Sequence, residues 1–154
     1  MSGDLDPMFV TLRERALAWQ DQDAPEGSPS GVILETGYRE GVVMLVVMSD
    51  GTVDLYFSGG SGVMGAGALE GPKHAARELA AAAAHFAPRM PVVTEFPLPP
   101  VGSAGLYVLI DGVVRGGVAR ERDYGDNRSQ HSPLFHIAHR VIAEIRRLPP
   151  QPQF

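Results

Sequence analysis

Three segments of this chain have apolar residues three and four positions apart, which places those residues on one face of a helix. Each segment begins with a proline, which is favoured at the first helical position because its missing N–H would have no partner there. The residues that precede the prolines, Asp6, Gly71 and Ser132, are suited to capping a helix. The sequence therefore predicts helices at 7–20, 72–86 and 133–148.

Extended segments lie between these helices. Val42 to Met48 is an unbroken apolar run, which predicts a central strand covered on both faces. After the turn Asp50-Gly51, Asp54 and Tyr56 alternate with apolar residues, and this alternation predicts a strand with one wetter face. We predict a three-strand meander at 32–58 and, around a second Asp-Gly turn, a hairpin at 106–120.

Three features near the hairpin and the end of the chain complete the pattern. The segment 88–100 is either strand or loop, because its apolar residues are bracketed by prolines. The pair Gly116-Gly117 predicts a bulge or a close approach by another backbone. The tail 149–154 is predicted to be mobile.

The predicted order of elements is α-β-β-β-α-(β)-β-β-α. A chain of 154 residues without a change in composition fits one domain, here 1–154. We therefore predict a single α+β domain with an antiparallel sheet of about five strands and three helices packed on it.

The stretch from Gly41 to Val53, an apolar strand, an Asp-Gly turn and a second strand, resembles part of the roadblock and longin-like regulatory domains. These domains pack helices on an antiparallel sheet in a similar order. The stretch covers about a tenth of the chain, and the strand at Val32 and the glycine-rich run after Ser58 depart from the family. The resemblance implies a small regulatory or scaffold module.

Composition and charge exclude several classes of function. The chain has no cysteine, which excludes disulfides, thiolate metal sites and cysteine nucleophiles. Its net charge is −5 and its basic residues are scattered, so we expect no nucleic-acid partner. The longest apolar run is far shorter than a bilayer span, and the first residues do not resemble a secretory signal. We therefore expect a cytoplasmic protein without a membrane partner.

Five glycines occur within 59–67, between a predicted strand and a predicted helix. Gly60 to Gly65 matches G-x-G-x-x-G, but no βαβ unit with parallel strands follows, so a dinucleotide site is not predicted. Two interpretations stay open. The run is either an edge strand or flexible connection, or a loop whose amides hold a phosphate or carboxylate. In the second case the candidate ligand-binding residues are Gly60, Ser61 and Gly62.

A second candidate is the polar loop 120–132, where Arg128 and His131 could serve as charge partner and as acid or base. The same composition also suits an ordinary exposed connection. His136 and His139 share a helical face but have no third ligand at a telling spacing, so we place them on a solvated face. We predict neither a metal site nor a cofactor.

These features support two functional hypotheses. The first is a non-catalytic protein-interaction or regulatory module, whose partner is another protein or a second copy of the chain. The second is a small-molecule (anion) binding domain or enzyme that uses the loops 59–67 and 120–132. The second hypothesis requires both loops to converge on one concave pocket.

Overall fold

The computed structural model describes residues 5–148, so the predicted tail 149–154 lies outside the described residues. The α-helices are α1 (Pro7–Ala18), α2 (Glu70–Phe86), α3 (Glu121–Gly125) and α4 (Ser132–Arg146). The strands are β1 (Pro29–Tyr38), β2 (Gly41–Met48), β3 (Val53–Phe57), β4 (Gly62–Val63), β5 (Val92–Val93), β6 (Ser103–Ile110) and β7 (Val113–Arg120).

All seven strands belong to one sheet in the order β4-β3-β2-β1-β6-β7-β5, and every pair of neighbours is antiparallel. The α+β class and the single antiparallel sheet are therefore confirmed. The predicted numbers, about five strands and three helices, are wrong, because the described residues form seven strands and four α-helices. The additional elements β4, β5 and α3 have two to five residues, too few for a hydrophobic period to be visible.

The helix starts follow the proline pattern only in part. Asp6 caps α1 as predicted, since its carboxylate accepts the N–H of Met8 at 2.8 Å. Helix α2 begins at Glu70, before Gly71 and Pro72, because a 3₁₀ turn at Ala66–Ala68 leads the chain into it. The predicted start at Pro72 is therefore wrong by two residues.

Each face of the sheet is covered by different elements. Helices α2 and α4 pack on one face, over side chains such as Leu34, Leu45 and Leu106. Helix α1 covers the other face, over Ile33 and Met44. Strand β2 is accordingly covered on both sides, as its apolar run predicts.

The predicted wetter face of β3 is wrong. Asp54 and Tyr56 are only 6% and 8% exposed, on the side of the sheet that α1 covers. The Tyr56 hydroxyl donates to Asp54 Oδ2 at 2.5 Å, and the N–H of Gly65 donates to Asp54 Oδ1 at 2.8 Å. Burial, followed by this hydrogen bond, raises the pKa of Tyr56. The alternation on β3 therefore marks a buried polar pair, whose partners satisfy one another.

A buried ion pair joins α1 to the centre of the sheet. Glu35 on β1 is fully buried, and Arg13 on α1 reaches its two carboxylate oxygens at 2.6 Å and 3.0 Å. The same guanidinium donates to the carbonyl oxygen of Phe96 at 2.6 Å. Arginine suits this arrangement because its planar fork binds a carboxylate through two parallel hydrogen bonds.

The proline-rich segment is a short strand followed by an irregular strap. Strand β5 pairs with β7, and residues 94–100 then cross the α1 side of the sheet. Gly37 permits this crossing, because a Cβ on it would lie 2.2 Å from the Pro100 carbonyl oxygen. Gly116 has φ of +142°, and a Cβ on it would lie 1.9 Å from the carbonyl oxygen of Leu106. The predicted close approach by another backbone is therefore confirmed at Gly116, whereas Gly117 has no atom that close.

Replacing Arg13 tests how far the buried pair holds the layers together. In Arg13→Met the Glu35 carboxylate stays buried without its partner, so we expect the free energy of unfolding to fall by about 3–5 kcal/mol. The double variant Arg13→Met/Glu35→Leu should recover most of this loss, because no buried charge remains. Urea unfolding measures the free energy of unfolding of both variants. Arg15→Met, an exposed cation on the same helix, is the control, and an equal loss there would contradict the assignment.

The ring of Tyr107 lies beside this ion pair and is fully buried. Its hydroxyl has no hydrogen-bond partner within the part of the chain that the structure describes. Burial, and then the Glu35 carboxylate, raise the pKa of Tyr107 to about 12. The folded protein thus holds this proton more tightly than an unfolded chain does.

The raised pKa predicts how stability depends on pH. The contribution of Tyr107 to the free energy of unfolding is fully present below the ordinary pKa of 10.0. It is lost as the pH rises toward about 12. In Tyr107→Phe the free energy of unfolding should fall less steeply as the pH rises, by up to about 1.4 kcal/mol per pH unit. Near neutral pH this variant should be as stable or more stable, since an unpaired hydroxyl leaves the core. Urea unfolding across this pH range tests both points; an unchanged slope would contradict them.

Candidate functional site

A cleft lies between the first half of α2 and the end of the sheet where β1 begins and β2 ends. Its volume is about 330 Å³. This volume lies at the lower end of the range for ligand pockets, about 300–1,000 Å³. The cleft is built by three walls, which come from the sheet, the helix and a turn.

The floor of the cleft is a row of three valines across neighbouring strands. Val32 of β1 pairs with Val47 of β2, and Val47 pairs with Val53 of β3. Residues that face each other in antiparallel ladders share a side of the sheet, so the three side chains lie abreast. They form a continuous apolar surface under α2.

The helical wall is one stripe of α2: Lys73, Ala76, Arg77 and Ala80. These residues are spaced three and four apart, so they project from one side of the helix. Ala76 and Ala80 stand opposite the sheet, where longer apolar side chains would occupy the space. The cleft therefore exists because the helix is slim at this end.

The third wall is the turn Ser49 to Gly51 together with Gly67. Gly67 touches the turn so closely that a Cβ on it would lie 2.0 Å from the carbonyl oxygen of Gly51. The turn is held by Asp50, whose carboxylate accepts the N–H of Thr52 at 2.9 Å. It is also tied to the loop before β1, because the Ser49 hydroxyl donates to Asp21 at 2.6 Å and lowers the pKa of Asp21.

Two cations line the cleft without a nearby carboxylate. Within residues 5–148, neither Lys73 nor Arg77 has an acidic oxygen within 4.0 Å. Lys73 is half-buried and is the only lysine of the chain. The neighbouring acid on the helix, Glu78, is engaged elsewhere, with His74 at 2.9 Å and Arg140 at 3.4 Å. The cleft therefore combines an apolar floor with unpaired positive charge.

The glycine run lies at the outer edge of the sheet, and two of its five glycines, Gly62 and Gly67, pack closely against other backbone. Gly62 pairs with Tyr56 in the β3–β4 ladder, and Ser61 accepts the N–H of Phe57 at 2.8 Å. The N–H of Gly60 donates to the carbonyl oxygen of Phe57 at 2.9 Å. A Cβ on Gly60 would lie 2.6 Å from the Asp6 carboxylate, so this glycine lets the loop reach the cap of α1.

The predicted charge partner and acid or base lie at the far end of α2. Arg128 lies in the connection between α3 and α4. Its guanidinium is 3.8 Å from the carboxylate of Asp123 and 3.9 Å from that of Asp126. The ring of His131 packs edge-on against Phe86, the last residue of α2. Burial, and then the charge of Arg89, lower the pKa of His131.

The structure therefore does not bring the two predicted groups together. Gly60, Ser61 and Gly62 precede α2, whereas His131 contacts its last residue. The helix has 17 residues and is about 25 Å long at about 1.5 Å per residue. A common pocket for both groups is absent from the described part of the chain, and a ligand-binding role of either group stays a prediction.

The two histidines of α4 differ in their surroundings. His136 Nε2 lies 2.9 Å from Asn127 Oδ1 at the exposed side. His139 packs on Phe135, with ring centres 4.5 Å apart, and burial lowers its pKa. The predicted solvated face is therefore wrong for His139. Among residues 5–148, no three His, Asp or Glu side chains form a cluster suited to a metal ion.

Sequence reasoning missed the cleft residues, although a signal for them exists. Lys73, Ala76, Arg77 and Ala80 have the spacing of one helical face, but two of them are charged and two are small. Such a stripe is typical neither of a core-facing side nor of a solvated side. The valine row could not be predicted from the sequence, because the sequence does not give the register that places residues of three strands side by side.

Comparison with known protein families, with curated proteins and with solved structures gave no match. None of the helices described is long and apolar enough to cross a bilayer. The function must consequently be argued from the chemistry of the site itself.

Proposed function

We propose that this domain is a small-molecule binding module whose ligand occupies the cleft between α2 and the valine row. The observation that carries the proposal is the cleft itself, where the small side chains of Ala76 and Ala80 leave space between α2 and the buried valine row, beside two cations. Ligand sites in proteins combine a mostly apolar lining with a few polar groups in this way. No step of catalysis is assigned to the cleft.

The cleft has a rigid frame, which supports a binding role. Its floor consists of three neighbouring strands. Its turn is held by hydrogen bonds from the Ser49 hydroxyl to Asp21, in the loop before β1, and from the Ser49 amide to Ser30 of β1. A preformed site loses little conformational entropy when it binds, so it favours affinity for a small molecule.

The role of a protein-interaction module remains a second candidate, supported by the edge of the sheet at β4. Met64 and Leu69, on either side of the turn into α2, are 64% and 42% exposed. Strand β4 has only two residues and leaves most of the outer edge of β3 without a strand beside it. An exposed edge with apolar side chains is suited to pairing with another chain.

Filling the cleft tests the proposed binding role. A fragment library screened by saturation-transfer NMR should give ligands for the unmodified protein, and Ala80→Leu should lose them because the leucine side chain occupies the cleft. Ala81→Leu, an exposed residue on the same helix, should retain them. Thermal unfolding shows that both variants are folded. Fragments that still bind Ala80→Leu, or a screen without ligands, would contradict the proposal.

The edge candidate has a separate test. If β4 pairs with a second copy, sedimentation of the unmodified protein should show an average mass that rises with concentration. Met64→Lys/Leu69→Lys should sediment as a monomer, because charged side chains on an edge oppose pairing. Val118→Lys, at the opposite side of the sheet, is the control. A monomer at every concentration would exclude self-association through this edge.

A further inference from the structure

We infer that the cleft binds a medium-chain carboxylate, with its head group between Lys73 and Arg77 and its apolar tail in the space between α2 and the sheet. The inference rests on the proposed function and names the ligand class of the same site. It follows from the charge on the helical wall, the size of the cleft and the apolar character of the floor.

The positions of the two cations on α2 favour binding of an anion. Lys73 and Arg77 are four residues apart on α2, so their like charges repel each other. Lys73 also lies near the start of the helix, where the macrodipole disfavours a positive charge. Because no carboxylate of residues 5–148 pairs with either, an anion from outside would relieve both effects.

The size of the cleft limits the tail. A cleft of about 330 Å³ lies at the lower end of the range for ligand pockets, about 300–1,000 Å³, so its ligand is small. A molecule with about ten non-hydrogen atoms, such as octanoate, therefore fits. Each methylene removed from the tail should weaken binding about fourfold, so butyrate should bind far more weakly.

The acidic residue of the cleft does not oppose this arrangement. Asp50 stands on the turn across from α2, and one of its oxygens already accepts the Thr52 N–H. A ligand with a cationic head group near Asp50 would instead face the positive charges of Lys73 and Arg77 across the cleft. Octylamine is therefore the informative competitor, because it has the same tail and the opposite charge.

Lys73 offers a direct spectroscopic probe because the chain has no other lysine. Reductive methylation with ¹³C-formaldehyde labels its side chain and the α-amino group, and the dimethylated amine keeps its charge. Titration with octanoate should shift the Lys73 methyl resonance in a saturable manner, while the α-amino signal serves as an internal control. Octanol should bind at least about tenfold more weakly, since it lacks the charge-assisted contact.

Two variants test the head-group contact. Lys73→Met and Arg77→Met should each weaken octanoate at least about tenfold by calorimetry, leave octanol unchanged, and raise the melting temperature of the free protein by about 1–2 °C. Arg140→Met, on the neighbouring helix, should bind octanoate as the unmodified protein does. Octanoate binding should also weaken between 0.1 M and 1 M salt, as the screening length falls from about 10 Å to about 3 Å.

Each outcome bears on a different step. Equal affinity for octanol and octanoate, or tighter binding of octylamine, would overturn the carboxylate inference and leave the binding role standing. Failure of octanoate to bind, while fragments bind in a manner blocked by Ala80→Leu, would also overturn only the ligand class. Failure of octanoate and of all fragments would overturn both.

Discussion

The contact between Arg13 and Glu35 is the constraint on which the arrangement of layers depends. A fully buried carboxylate in the central strand requires a paired charge, because an isolated ion in the core is strongly disfavoured. The guanidinium comes from α1 and also binds the carbonyl oxygen of Phe96. One side chain thus fixes a helix, the middle of the sheet and the proline-rich strap relative to each other.

This constraint makes the two faces of the sheet different. The α1 face is closed by a helix, a strap and hydrogen-bonded polar pairs, such as Asp54 with Tyr56 and Arg13 with Glu35. The opposite face is closed by apolar packing of α2 and α4. Apolar packing specifies no individual partner, so small residues such as Ala80 can leave space there. The cleft lies on this second face for that reason.

The sequence predicted the elements that have a long hydrophobic period and missed those determined by contacts between distant residues. Helices near 7–20 and 133–148, the central strand at Val42 and the second hairpin follow from local patterns. Strands β4 and β5 are too short to carry a pattern, and the buried polar pair on β3 looks like a solvated face. The candidate site at 59–67 was inferred from the freedom of glycine, which the structure uses for close backbone packing at Gly62 and Gly67 and for close approach to the Asp6 side chain at Gly60.

The glycine run 59–67 and the α2 stripe that contains Lys73 and Arg77 are two different kinds of sequence pattern, and they differ in what they indicate about a ligand. A glycine is required wherever two backbones meet, so a glycine run indicates close approach without saying what approaches. Lys73 and Arg77 repel each other on α2, and the helix dipole disfavours the charge of Lys73. Neither cation forms a salt bridge with a described carboxylate. We propose that a bound anion relieves that repulsion. A local inconsistency without a structural reason is what a binding site is expected to contain.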